Sequence, residues 1–145
     1  MISSQSDETL LKQQICSRSY CVPGDPIPLA RPRMGQGRVW DSQKQLKAIT
    51  SITIQSQHDN LPLFNGCIGI DIIFYMPIRG HSAKRSISLI GTYHFARPDL
   101  DNMIKYYLDV SNGVLYDDDC IVASIRASKI YSDNPRTEFT LYNLE

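Results

Sequence analysis

A chain of 145 residues carrying 15 basic and 15 acidic side chains has the length of one domain, and its balanced charge excludes a protein that coats nucleic acid by bulk charge. With 42% apolar residues, 8 Gly and 8 Pro it is neither disordered nor collagen-like, and four scattered cysteines (Cys16, Cys21, Cys67, Cys120) without metal-ligand spacing exclude a disulfide scaffold and a zinc finger. The most apolar run, Cys67 to Ile78, is interrupted by Asp71 and falls far short of the roughly 20 residues of a bilayer span.

Residues 1–16 are polar and unpatterned, without the basic and then apolar regions of a secretion signal, so they read as a flexible tail on a cytoplasmic domain at 17–145 whose thiols are reduced and mostly buried. A short β-like run from Ser17 to Val22 ends at Pro23-Gly24-Asp25-Pro26. The loop from Pro26 to Gly37 holds Arg31-Pro32-Arg33 and leads into Arg38-Val39-Trp40, where Trp40 is expected in the core. Asp41 or Ser42 can cap a helix over residues 43–57. Residues 67–76 (CIGIDIIFYM), β-rich and bounded by Gly66 and Pro77, make the strongest strand. Residues 78–96 read as a long loop or irregular hairpin.

Pro98-Asp99 then opens a second helix that Asn112-Gly113 ends, because Leu100, Met103, Ile104, Tyr107 and Leu108 repeat at helical spacing. Strands follow at 121–131 and 137–144 around the turn Ser132-Asp133-Asn134-Pro135. The sum is a single α+β domain: a mixed β-sheet of about four to five strands flanked by two helices.

The chemistry concentrates at the second helix. Asp99 stands at its mouth, where the positive end of the helix dipole favours a carboxylate, and Asp101 and Lys105 lie one turn apart at the edge of the apolar stripe. Asp117-Asp118-Asp119 precedes a strand, and three adjacent like charges repel unless solvent or a cation neutralises them. If that strand lies beside the helix start, Asp99, Asp101 and one of Asp117–Asp119 form an oxygen-rich site suited to Mg2+ (or Mn2+), with Lys105 placed to neutralise charge on a leaving oxygen. The plain alternative is a capping Asp99, a surface Asp101–Lys105 pair and a solvated acidic turn. His94 is expected as a hydrogen-bonded structural histidine.

Charge is also partitioned along the chain. Residues 17–85 carry nine bases and four acids, and residues 86–145 five bases and nine acids. Arg31, Arg33 and Arg38, in a Gly/Pro-bounded loop, and Arg79, Lys84 and Arg85 further on are the candidate phosphate contacts.

Pro98-Asp99-Leu100-Asp101-Asn102, then Lys105, Leu108-Asp109, Asn112-Gly113, Asp117-Asp118, Ile121, Lys129 and Pro135-Arg136, follow in the order of a P-D-L-D-N…K…L-D…N-G…D-D…I…K…P-R signature. Upstream stand Gly24-Asp25-Pro26-Ile27-Pro28, Arg31-Pro32-Arg33, Gly37-Arg38 and Trp40. Over residues 19–143 the chain resembles the RusA-type Holliday junction resolvases (crossover junction endodeoxyribonucleases) of bacterial and prophage genomes. The resemblance implies an α/β homodimer that uses Mg2+ to cut four-way DNA junctions by paired nicks in recombination and repair. It implies Asp99, Asp101 and Asp118 as metal ligands and Lys105 as the catalytic lysine. The chain departs from the pattern in Asp119-Cys120 after the acidic pair, in Ala30 before Arg31 and in its zero net charge. Two rival readings are a non-cutting branched-DNA-binding module of prophage origin and a Mg2+-dependent nucleotide phosphohydrolase, for which the Arg31-Pro32-Arg33 loop has little use.

Overall fold

The structure, a computed structural model, describes residues 16–144; the expected tail at 1–16 lies outside that range except for Cys16. In chain order the elements are β1 (Ser17–Pro23), β2 (Arg33–Gly35), β3 (Arg38–Trp40), α1 (Lys44–His58), β4 (Ile68–Met76), α2 (Ala83–Leu89), α3 (Leu100–Ser111), a 3-10 turn (Asp119–Ile121), β5 (Val122–Tyr131) and β6 (Arg136–Asn143). β1, β6, β4 and β5 lie side by side in that order as one mixed sheet: β6 pairs antiparallel with β1 and β4, and β4 pairs parallel with β5. The connection from β4 to β5 is therefore a crossover, and it carries α2 and α3.

Period-two patterning decides which face of the sheet is covered. Ile68, Ile70, Ile72, Phe74 and Met76 of β4 are buried with Phe139 and Leu141 of β6 and Tyr20 and Val22 of β1, while Asp71 on the intervening register is exposed. Against the apolar face packs α3, whose Met103, Tyr106, Tyr107 and Val110 are all buried. α1 joins the same layer through Ile54 and through the buried Thr50–Tyr106 hydroxyl pair at 2.9 Å. The outer edge of β1 is closed by a side chain: the Gln57 amide accepts from Cys21 N at 2.8 Å and donates to Cys21 O at 2.6 Å, imitating a neighbouring strand.

Three expectations are corrected. Within 78–96 lies a third helix, α2, whose N-cap Ser82 accepts from Arg85 N at 3.2 Å; seven residues are too few to display a helical period in sequence. Trp40 is 47% exposed, because β2 and β3 form a separate hairpin outside the main sheet, and its ring lies over Gly35, where an added Cβ would stand 3.1 Å away. The cysteines are free as expected but not buried: Cys16 and Cys120 are exposed, and Cys21 and Cys67 are half-buried. The hairpin turn itself is local chemistry, since Gln36 and Gly37 both take positive φ (50° and 74°), as a tight two-residue connection requires.

His58, at the end of α1, is buried between Tyr20 Oη (2.7 Å to Nδ1) and the Pro62 carbonyl (3.0 Å from Nε2). The carbonyl accepts only from Nε2–H, so in the neutral ring Nδ1 accepts the Tyr20 proton. Burial pushes the Tyr20 phenol up to about 12 and holds His58 below the ordinary histidine value, with the Arg18 charge adding to the His58 effect. A depressed folded-state value means that the unfolded chain takes up a proton first as pH falls, so stability is lost on acidification through and below the ordinary value of 6.5. Urea unfolding should show a midpoint that drops between about pH 7.5 and pH 5.5, with a smaller drop in His58→Gln; an identical pH profile in that variant would show that His58 is not the proton-linked group.

Candidate active site and nucleic-acid interface

α3 presents the chemistry because of what it buries. With its aromatic and aliphatic stripe against the sheet, Asp101, Lys105 and Asp109 are left on exposed positions. Asp99 occupies the N-cap with extended backbone (φ −68°, ψ 140°), yet its side chain makes no capping hydrogen bond. Among the described residues no ion pair joins Asp101 to Lys105. Neither the capping role nor the surface pair of the plain alternative is realised.

The acidic run sits at the other end of the helix. Asp119 N donates to Asn112 Oδ1 at 3.0 Å, tying the run to the C-cap of α3, and Asp118 caps the 3-10 turn by accepting from Cys120 N at 3.3 Å. Partial burial first, then the hydrogen bond and charge of Asp118, then the charge of Asp109, hold the Asp119 carboxyl above the usual carboxylate range. Asp119 and Lys105 line one cleft of about 480 Å3 together with Asp109, Lys47 and Trp40. Asp99 lines a second, of about 740 Å3, with Asn102, His94 and Arg97. Residues 101 and 112 stand about 16 Å apart along the helix at 1.5 Å per residue. That distance corrects the expected constellation: among the described residues no three Asp, Glu, His or Cys side chains converge as a metal site. What is present is a carboxylate pair, Asp99 and Asp101, at the mouth of one helix. Oxygen donors of this kind fit a hard divalent ion, which binds through one or two carboxylates and keeps its remaining waters.

A loop and a hairpin stand over this surface, and hydrogen bonds from both helices fix them. Leu29 N donates to Asn102 O (3.0 Å), Ile27 N to Tyr107 Oη (3.2 Å) and Ala30 N to Gln43 Oε1 (2.9 Å), while Gln43 Nε2 returns a bond to Pro28 O (2.9 Å). Immediately beyond this anchored stretch come the exposed Arg31, then Arg33 at the start of β2 and the exposed Arg38 at the start of β3. At the base of the hairpin Lys47 bridges Asp41 (2.7 Å) and Asp109 (3.1 Å), joining α1 to α3. Lys84 and Arg85 are exposed on α2. Arg79, expected as a phosphate contact, is paired with Asp25 at 2.6 Å.

Two residues carry roles that patterning did not assign. Lys129 of β5 occupies the register position beside Phe74, on the helix-facing side of the sheet, and its Nζ donates to the carbonyls of Ala96 (2.6 Å) and Pro98 (2.8 Å). Besides its place in the family signature, the sequence signal is a lysine where the strand alternation calls for an apolar residue. His94 is not hydrogen-bonded through Nδ1 as expected; that atom is buried without a partner, and the ring packs against Tyr131 at 4.7 Å. Burial, and secondarily the Lys129 charge, keep His94 below the ordinary histidine value.

Residues 23–142 match the family model described as endodeoxyribonuclease RusA. The chain is also 28% identical, over 130 residues covering 82% of this chain and 91% of the relative, to the uncharacterized protein YqaN of Bacillus subtilis (strain 168).

Gln43→Ala removes both amide bonds that hold residues 28–30 to α1. At about 1 kcal/mol for each such bond, and less where solvent competes, unfolding should become easier by about 1 kcal/mol. Limited proteolysis should nick the 31–40 hairpin faster; an unchanged cleavage pattern would mean that the loop is held by other contacts.

Proposed function

The chain belongs to the RusA endodeoxyribonuclease family, and on that premise we propose that it resolves four-way DNA junctions by paired, Mg2+-dependent nicks, acting as a homodimer in the cytoplasm. As a member of that family it is a hydrolase of DNA phosphodiester bonds. The observation that carries the finer reading is the pair Asp99 and Asp101, released from capping and from pairing with Lys105, on the exposed edge of a helix whose opposite face is locked in the core.

Asp99 and Asp101 would hold the metal, and Mn2+ could replace Mg2+. Bound there, the ion polarises a phosphodiester oxygen and lowers the pKa of a water. Lys105, one turn beyond Asp101, brings an ammonium to the same edge of α3 and offsets the negative charge that grows on the phosphoryl oxygens and the leaving oxygen. Arg31, Arg33 and Arg38 on the anchored loop and hairpin, and Lys84 and Arg85 on α2, grip phosphates on either side. Arg79 contributes less while paired with Asp25, but an exposed ion pair is worth about 0–1 kcal/mol and exchanges readily for a phosphate.

Zero net charge is compatible with this division of labour. Arg31, Arg33 and Arg38 cluster in the loop and hairpin and Lys84 and Arg85 on α2, so a polyanion meets local positive surfaces. A two-fold dimer presents two such sites to a substrate with matching symmetry, which accounts for paired nicks. Such a geometry favours branched DNA over free nucleotides, which would leave the arginine hairpin unused.

Labelled four-way junction and matched linear duplex, each with Mg2+ and with EDTA, test the proposal. Wild-type protein should place paired nicks in the junction alone and only with metal. Asp101→Asn should abolish cleavage while junction affinity stays equal or rises, because a carboxylate facing phosphate has been neutralised. Lys105→Met should lower kcat by about 100-fold with little change in KM, the signature of a group that acts on transition-state charge. An Asp101→Asn protein that nicks junctions at the wild-type rate would falsify the assignment.

A further inference from the structure

Between β4 and α3, residues 77–98 contain Arg79, Lys84, Arg85 and Arg97 and not one Asp or Glu. The final stretch of this segment is extended along β5: Gly91 N and His94 N donate to the carbonyls of Tyr131 and Lys129, Tyr131 N donates to Thr92 O, and Tyr93 bridges antiparallel to Ile130. Extended chain alternates its side chains. His94 turns inward against the Tyr131 ring, and Tyr93 and Phe95 on either side turn outward, 73% and 84% exposed.

Two large aromatic rings held in water on a segment whose Lys84, Arg85 and Arg97 make no ion pair among the described residues, Arg79 being paired with Asp25, match a ligand that is both anionic and flat-faced. Nucleic acid has that chemistry: cations take the phosphates and aromatic rings take the bases. Outward side chains two residues apart on extended chain stand about 6.7 Å from each other. Bases stack at a rise of about 3.4 Å, so the gap accepts the plane of one base. In continuous duplex the base faces are occupied by their neighbours, and only a branch or an end frees one.

The position of the pair is fixed relative to the carboxylates. Phe95 is followed by Ala96, Arg97 and Pro98, and Lys129 grips the carbonyls of Ala96 and Pro98 from the sheet edge before the chain reaches Asp99. A base held by the rings is thereby held at a set offset from Asp99. We propose that Tyr93 and Phe95 form a stacking clamp for a base unstacked at the DNA branch point, which places the neighbouring phosphodiester at Asp99 and makes cleavage depend on branching. The clamp rests on the nuclease reading above and adds to it the residues that select branched substrate.

The test uses Tyr93→Ala, Phe95→Ala, the double variant and Phe95→Trp, whose exposed positions leave the thermal midpoint unchanged. The double variant should bind and cleave the four-way junction about tenfold or more less well, with affinity for linear duplex within about twofold, and Phe95→Trp should retain the wild-type preference. Stacking releases no counterions, so the slope of log affinity against log salt should be unaltered, whereas Lys84→Ala with Arg85→Ala should flatten it. In an Asp101→Asn background, 5-iodouracil at the branch nucleotides should photocrosslink to Tyr93 or Phe95. The clamp is overturned if wild type cleaves junctions and the double variant does so equally well, or if the variant loses duplex and junction binding alike. A wild type that neither binds nor cuts junctions overturns the nuclease reading beneath it.

Discussion

Tyr107 joins the core of this molecule to its working surface. Its ring lies 5.6 Å from Phe74 and 6.4 Å from Phe139, on the two central strands, and 5.1 Å from Tyr106 on the same helix. Its hydroxyl accepts from Ile27 N, at the start of the segment that leads to the arginine hairpin. Burial raises the Tyr107 phenol, so it stays protonated and neutral inside the core. With Met103, Tyr106 and Val110 buried beside it, Tyr107 helps set the rotation of α3 about its axis. That rotation in turn puts Asp101 and Lys105 on the outside and brings Asn102 O within reach of Leu29 N.

The electrostatics follow from the same arrangement. Asp99 and Asp101 stand at the mouth of α3 and Asp117–Asp119 beyond its C-cap, while Arg31, Arg38, Lys84 and Arg85 lie on the loop, hairpin and short helix outside the sheet. Lys47 and Lys129 serve the scaffold instead. Lys47 neutralises Asp41 and Asp109 where the hairpin meets α1 and α3, and Lys129 satisfies backbone carbonyls just before the helix. A lysine spent on carbonyl oxygens holds backbone as a strand partner would, with the advantage that its long stem reaches past the edge of the ladder.

Much of this was legible in the residues, for identifiable reasons. The stripe Leu100, Met103, Ile104, Tyr107, Leu108 defines α3 because helical period and burial coincide there, and β4 announces itself by an apolar run bounded by Gly66 and Pro77. The mixed single-domain α+β sheet and the RusA family are both found as expected. What patterning missed are features that depend on reach. α2 is only seven residues long; Trp40 lies in a hairpin whose independence from the sheet is a tertiary fact; and nothing local marks Tyr93 and Phe95 as outward-facing, because pairing of their segment with β5 decides it. Spacing along the chain also brought Asp118 nearer to Asp101 than the fold does. Nothing local reveals that the acidic run is tied to Asn112 rather than to the first turn of α3.

The parallel pairing of β4 with β5 has a consequence in time as well as space. Parallel neighbours require a long crossover, and here that crossover contains Asp99, Asp101, Lys105 and Asp118. A loop of that length closes slowly compared with a hairpin such as β2–β3, because its entropy is lost before the ladder returns any energy. The carboxylates, Lys105 and the cationic segment therefore come into register only when the edge strand docks. Until β5 is in place Lys129 cannot hold the carbonyls of Ala96 and Pro98, so the entry to the helix that carries the carboxylates depends on closure of this long crossover.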